Sequence, residues 1–586
     1  MLYLCYGNRL EALAERLVRD QEKPLASALA PELIAVQGHA VARWLSLRLA
    51  TAQGIVAHTE LLFPAELLWR LFRRVLADVP QVNSFSAEAL TWRVLTQLNN
   101  DALVSRDDAL AGYLRNATPL QYWQLADRLG RLFEQYLIYR PDWIRRFEKG
   151  EADHWQGMIW QQMVADGDDR HWLKLASDLL TDLVEDPGRR ARLPQRISLF
   201  ALPRLSSVYL ELLASLSAYC DIHLYTLNFS QTYWADIVSD KEKARLERDS
   251  DPAAVGFLET GNSLLASMGR QGREHFAQLV ELDALEEDVC SAPSPHNLLG
   301  QLQCDIFHLR EGGSGQPTGR DPPADGSVEL HVCHGPMREV EVLHDQLLDH
   351  FQRDPSLTPA DILVLVPEVE TYAPYIEAVF GAAAEEKRIP FRVADRGAQG
   401  QWPLVETFFA LLDLPGGRFD ADAVSAPLDE PALRRCFGLS EGDIDRIHQW
   451  IRDTGIRWGV DGDDVRALDL SLGADHTWRN GSDRLVLGQA LPDSDVLFGG
   501  ISPWGMADAA EARTVGRLCS YLEQVFALRG RLSGTHSVAD WAERLNGLLD
   551  RFFASGPESE PALRAVRDAL AASTRTAAHA GYELSL

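Results

Sequence analysis

SVELHVCHGPMREVEVLHDQLLDHFQRDPSLTPADILVLV, residues 327 to 366, is the stretch from which the fold is read. Val328, Leu330 and Val332 alternate with Glu329, His331 and Cys333, the period of a strand covered on one face. Gly335 and Pro336 end the alternation, and proline suits a first helical turn because its missing N–H has no partner there anyway. Val340, Leu343, Leu347, Leu348 and Phe351 then recur at helical spacing. Ile362-Leu363-Val364-Leu365-Val366 is an unbroken apolar run of the kind buried on both faces of a parallel sheet. Strand, helix and strand predict a right-handed βαβ unit, and with it an α/β protein.

The same grammar opens the chain. Leu2–Tyr6 reads as a strand, Gly7-Asn8-Arg9 as a loop, and Leu10, Leu13, Leu17 and Val18 as the apolar stripe of a helix. Glu32–Val36 is a second strand, followed by Gln37-Gly38-His39 and a helix burying Val41, Trp44, Leu45 and Leu49. In sheets of this type ligands sit at the carboxyl ends of the strands, where those two loops fall. From 76 to 190 helical patterns rich in aromatic residues take over, including AEALTWRVLTQL and PLQYWQLADRLGRLFEQYLIY. Strands resume at Ile197–Phe200 and Ile222–Tyr225. Residues 311–327, EGGSGQPTGRDPPADGS, have a linker composition, and beyond 415 the pattern is again helical.

A chain of 586 residues exceeds one hydrophobic core, so about three or four domains are expected. Seven scattered cysteines without a CxxC pair argue against a disulfide framework and against a zinc or iron–sulfur site. No signal peptide or membrane-length apolar run is present, so the expected location is cytoplasmic, with no membrane partner. The net charge of −28 counts against a simple nucleic-acid coat protein and leaves room for DNA binding through a local patch.

Phosphate chemistry is testable by motif. A Walker A loop needs G-x-x-x-x-G-K-[ST], so that backbone amides cradle phosphate while Lys and a hydroxyl hold phosphate and Mg²⁺. Residues 5–12 read CYGNRLEA, and no Gly-Lys pair occurs anywhere in the chain. The Ile197–Phe200 strand is followed by Ala201-Leu202-Pro203-Arg204, without a carboxylate for Mg²⁺. This chain is therefore not expected to hydrolyse ATP. Two-metal nuclease chemistry needs clustered carboxylates, for which Asp493, Asp495 and Asp461/Asp463/Asp464 are candidates by type only. They read as acidic surface loops, and His331 and His334 as turn residues. No catalytic residue and no metal ligand is predicted. Single-stranded DNA, by contrast, asks for aromatic faces and cations, and Phe133–Trp143 offers Tyr136, Tyr139, Arg140 and Trp143.

Several long segments, HVCHGPMREVEVLHDQLL with LTPADILVLVPEVETYAPYIEAVF, FEQYLIYRPDW (133–143), GNSLLASMGRQGRE (261–274), GIRWGVDGDDVR (455–466) and HTWRNGSDRLVLG (476–488), occur in an order that resembles the RecC family. Those proteins are the gamma chains of RecBCD-type helicase–nucleases (exodeoxyribonuclease V). The resemblance covers essentially the whole chain. It implies two superfamily 1 helicase-like parallel-sheet domains with degenerate ATP sites and large helical insertions. The implied boundaries are 1–75 with 191–310 for domain 1A, 76–190 for insertion 1B, 311–327 for the linker, 328–415 for domain 2A and 416–586 for insertion 2B. Family members continue into a nuclease-like C-terminal domain, so an N-terminal portion is expected here.

The resemblance also implies partners and a task. RecB-like and RecD-like subunits would supply the motors and the nuclease, using ATP and Mg²⁺, with no cofactor in this chain. Double-stranded DNA ends and single-stranded DNA would be the nucleic-acid partners. The family's Chi-reading positions fall on Gln37, His39, Arg43, Phe63, Trp69, Arg131, Leu132, Glu134, Arg140 and Lys174. Gln37, Trp69, Leu132 and Arg140 match the best-known pattern, whereas His39, Arg43, Phe63, Arg131 and Glu134 depart from it. Arg43 in place of a neutral glutamine and Arg131 in place of an aspartate change the donors at a base-reading surface, which implies a different octamer. Two rival expectations are a scaffold that only holds partner proteins, and an AddB-type subunit, which would need the P-loop that is absent here.

Overall fold

The computed structural model describes residues 1–586 except 28, 152–153, 166–167, 250–258, 312–324, 395, 398–399, 401, 468–472, 492–496, 506–508, 578–582 and 586. The proposed linker therefore lies largely outside the described residues. The chain divides into two compact units, Met1–Leu330 and His331–Leu586.

The first unit is built on a six-stranded parallel sheet in the order β3-β2-β4-β5-β1-β6. Its strands are β1 (Leu2–Gly7), β2 (Glu32–Ala35), β3 (Thr59–Leu62), β4 (Arg196–Phe200), β5 (Asp221–Leu227) and β6 (Leu285–Asp288). The central strands are buried because both faces are covered: all five residues of β4 are buried, Arg196 and Ser198 among them. Helices α1 (Leu10–Gln21) and α2 (His39–Gln53) close one face, placing Leu13, Leu17, Leu45 and Leu49 against Cys5, Ile34, Phe200 and Tyr225.

After α3 (Pro64–Val75) the chain leaves the sheet for α4 (Ala87–Leu98), α5 (Asp101–Val104), α6 (Asp108–Leu114), α7 (Pro119–Tyr139), α8 (Pro141–Glu148), α9 (Trp155–Ala165), α10 (Trp172–Glu185) and α11 (Pro187–Arg190). The aromatic side chains read in the sequence fill this core: Phe133 and Phe85 both pack on Trp160. Helix α7 begins on a capping box in which Thr118 and Gln121 exchange hydrogen bonds, with Pro119 at its first position. Its buried stripe is Ala126, Leu129, Gly130, Phe133 and Leu137. The chain returns through β4 and α12 (Ser207–Leu216).

In the second unit the helix Pro336–Arg353 forms as expected, burying Val340 and Leu347 with Phe380 and Ile389. The flanking strands do not. Neither 328–333 nor 362–366 is assigned to a ladder among the described residues, so the parallel sheet expected over 328–415 is corrected. The unit's described β structure is the antiparallel pair β7 (His536–Ser537) and β8 (Glu583–Leu584) and an isolated Phe498–Ile501 bridge. Alternation marks a segment able to pair, but a strand also needs a neighbour to take its N–H and C=O groups. Without one, Leu330, Val332, Leu363 and Leu365 remain 82–91% exposed. Residues 403–577 are helical wherever secondary structure is assigned, apart from that bridge and β7, around Phe408, Ile447, Trp478, Tyr521, Leu549 and Phe552.

Among the described residues no helix is long and apolar enough to cross a membrane.

Candidate nucleic-acid interface

Parallel strands deliver their following loops to one edge of the sheet, and the first set of predicted residues collects there. β2 runs out through Val36, whose N–H donates to the Leu62 carbonyl at 2.9 Å, so Gln37 and Phe63 leave neighbouring strands at one level. Gln37 is exposed, Gly38 is extended, and α2 starts at His39. The His39 ring meets Phe63 edge-on at 5.0 Å. Arg43 lies one turn further along α2 and is also exposed. Phe63 caps α3, its N–H donating to Glu66 Oε2 at 3.0 Å. Trp69 sits half-buried on α3, against Phe72 at 6.1 Å and with the Arg73 guanidinium 5.9 Å over its ring. It is neither a sealed core residue nor an open platform.

The second set runs along α7. Arg131 is exposed and held by Asp127 at 3.0 Å, and Leu132 is half-buried. Burial pushes the Glu134 carboxyl up, outweighing the bond it accepts from the Ala87 N–H at 3.2 Å. Arg140 is exposed at the joint between α7 and α8, its guanidinium 5.7 Å over the Trp143 ring. The Tyr136 hydroxyl donates to Gln156 Oε1 at 3.0 Å. Lys174 stands apart on α10, paired with Asp169. Packed helices connect the two sets: α10 contacts α3 and α12, and α12 contacts α7.

Near Tyr139 and Arg140 the structure gathers Arg204, Ser206 and Gln278, which the sequence did not single out for the interface. A cavity of about 460 Å³ is lined by Tyr139, Arg140, Arg204, Ser206 and Gln278, among others. Arg204 follows β4, whose exit turns at Ala201 through φ 50°. Its position at a strand's carboxyl end was the available signal. Behind it, burial pushes the His275 imidazole down to about 4, with the Arg204 charge acting in the same direction. His275 is 4% exposed and its Nδ1 has no hydrogen-bond partner among the described residues. The unfolded chain thus binds the proton more tightly than the folded one. The stability His275 contributes is complete above pH ~6.5 and is lost as pH falls toward 4, by about 2–3 kcal/mol. Urea midpoints measured at pH 7.5 and 4.5 are expected to converge in His275→Phe relative to the parent.

The loop after β1 packs closely against neighbouring segments of the chain. A Cβ on Gly7 would lie 2.8 Å from Leu13 Cδ2 and 3.1 Å from Val289 Cγ2. Asn8 is tied to Ser291 by reciprocal bonds of 2.7 and 3.0 Å. Glu11 sits in the first turn of α1, between Arg9 at 3.8 Å and Arg48 at 3.9 Å. A carboxylate therefore stands at the helix start that would otherwise attract a phosphate.

Of the carboxylates considered by type, Asp461 accepts from the Asp463 and Asp464 N–H groups at 2.9 and 3.2 Å, and Asp464 pairs with Arg529. Asp493 and Asp495 lie outside the described residues. Among the described residues no group of three His, Cys, Asp or Glu is placed to hold a metal ion.

Two family models match the chain. One, described as RecC, N-terminal domain, spans residues 2–309, and the other, RecBCD enzyme subunit RecC fourth domain, spans 401–586. RecBCD enzyme subunit RecC of Escherichia coli (strain K12) is 34% identical over 96% of this chain and 54% of its own length. The corresponding protein of Haemophilus influenzae is 30% identical over 94% of the chain and 54% of its length. That of Mycolicibacterium smegmatis is 31% identical over 97% and 53%. The chain spans about half the length of the curated relatives it matches. Matched over more than half of its residues by the N-terminal profile and again beyond residue 400 by the second, the chain belongs to the RecC family.

Proposed function

We propose that the chain is the DNA-channel and sequence-sensing part of a RecBCD-type helicase–nuclease that processes double-strand breaks for recombination. In this reading both units derive from superfamily 1 helicase domains over the boundaries drawn from the sequence, the second without a parallel sheet among its described residues. RecB-like and RecD-like subunits use ATP and Mg²⁺ and cut the DNA, while this chain guides the 3′-ended strand. The loop after β1 supports the absence of ATP turnover here: the chain has no Gly-Lys pair, a Cβ on Gly7 would press on Leu13, and the Glu11 carboxylate sits in the first turn of α1. The observation that carries the proposal is the cluster of exposed Gln37, His39 and Arg43 beside Phe63 at the strand ends of the sheet, in a chain of this family.

Arg43 is the most informative position. An arginine favours guanine O6 and N7, whereas glutamine favours adenine N6 and N7, a difference of about 1–3 kcal/mol per base contact. In a complex reconstituted with RecB-like and RecD-like partners, degradation of random-sequence DNA is expected to pause at a preferred sequence. Arg43→Gln is expected to alter one position of that sequence by tenfold or more in preference. An identical pause sequence in parent and variant would count against sensing by this surface.

A further inference from the structure

We propose that the cavity between α7 and the start of α12 is a nucleotide pocket that holds one unit of single-stranded DNA, with phosphate on Arg140 and Arg204 and the base against Tyr139. The proposal rests on the channel reading above and names a site that the ten positions carried over from the family do not include beyond Arg140.

Four features point to this ligand. The cavity, about 460 Å³, falls in the range of about 300–1,000 Å³ that small ligands occupy. Two cations line it, and each guanidinium already lies beside an aromatic face: Arg204 is 5.8 Å from the Tyr139 ring centre and Arg140 is 5.7 Å from that of Trp143. Tyr139 is 51% exposed and Trp143 is 37% exposed, so each ring retains accessible surface. Alternating cations and rings are what a phosphate–base repeat requires.

The third feature is the start of α12, a ten-residue helix that points its free N–H groups toward this end. Ser206 caps it by accepting from the Tyr209 N–H at 3.4 Å, and both Ser206 and Ser207 line the cavity. The fourth is Gln278. Its Oε1 is buried and has no hydrogen-bond partner among the described residues, yet the residue lines the cavity. That oxygen is closed off in the free chain, so it would meet the exocyclic amine of a base only by rotation of the Gln278 side chain into the cavity. Glu274, which pairs with Arg204 at 3.6 Å, is a half-exposed partner that a phosphate can replace.

The test measures binding of a fluorescent oligo-dT and an oligo-dA to the full 586-residue chain across a salt series. Arg204→Ala is expected to reduce the slope of log K against log salt by about 0.7, the loss of one phosphate contact on a single strand. Arg204→Lys is expected to restore that slope. Tyr139→Leu is expected to leave the slope unchanged while weakening binding about fivefold or more. Gln278→Leu is expected to weaken oligo-dA more than oligo-dT, because thymine has no exocyclic amine. DNA binding that responds to Arg43→Ala and Trp69→Ala but not to Arg204→Ala or Tyr139→Leu would overturn the pocket and leave the channel reading standing. Absence of any DNA binding by the chain, alone and in the reconstituted complex, would overturn both.

Discussion

Replacing Arg196 by alanine lowers the unfolding free energy of the Met1–Leu330 unit by about 3–5 kcal/mol. Arg196 opens β4 and is 6% exposed. One register step before the Leu33–Ile197 pair, it lies beside Glu32 of the neighbouring strand β2, at the amino-terminal edge of the sheet. Its guanidinium pairs with both Glu32 oxygens, the Nε bond measuring 3.1 Å. It also donates to the Asp20 and Lys23 carbonyls, holding the end of α1 to the sheet. Truncation strands a carboxylate and two carbonyls in a site with little water, and that penalty exceeds anything the pair gains when intact. The double variant Arg196→Met with Glu32→Leu is therefore expected to lose much less than Arg196→Ala alone. Urea unfolding followed by tryptophan fluorescence compares the two, and equal losses would show that the pair acts independently of burial.

The second large effect falls at Gly130. A Cβ there would lie 2.7 Å from the Thr91 nitrogen and 2.8 Å from the Ala87 carbonyl oxygen, both backbone atoms of α4. Backbone cannot rotate away, so Gly130→Ala pushes α4 and α7 apart, at a cost of about 1–3 kcal/mol for overpacking. The gain of up to about 1 kcal/mol from replacing a helical glycine only partly offsets it. Gly112 is the control: it is also helical, and its Cβ would meet nothing within 4 Å. Gly112→Ala is thus expected to raise the melting temperature and Gly130→Ala to lower it. The consequence reaches the candidate interface because Glu134 holds the Ala87 N–H one turn beyond Gly130, and α7 ends at Arg140.

These two positions also mark what a sequence can and cannot disclose. The apolar runs of β1, β2, β4 and β5 announce themselves because a central parallel strand is buried on both faces. β6, Leu-Glu-Glu-Asp, is exposed along its whole length and carries no such signal; it exists because β1 offers it a ladder. β3 is a four-residue edge strand whose side chains are only half-buried. Residues 328–333 present the reverse case, perfect alternation without a described partner strand. Helix stripes are local, so α4, α7 and Pro336–Arg353 were readable from spacing alone. Strand pairing is not local.

The candidate interface divides in the same way. Gln37 and His39 were legible because a loop after a predicted parallel strand has a known place. Arg204 has that place too, but its meaning depends on α7 and on the helix Arg270–Val280, far away in sequence. Gln278 has no sequence signal: its unmet acceptor exists only once the helices are packed.

On the proposed reading, a parallel-sheet domain with no Gly-Lys phosphate loop carries unwound DNA past the ends of its strands. Photo-crosslinking a duplex with a 3′ single-stranded tail in the reconstituted complex, with the probe placed in turn at His39, Arg43, Trp69 and Arg140, tests it most directly. Tail-specific crosslinks are expected from these positions and none from Arg106, an exposed residue of the same unit. Crosslinks that fall on the chain elsewhere while avoiding all four positions would contradict it.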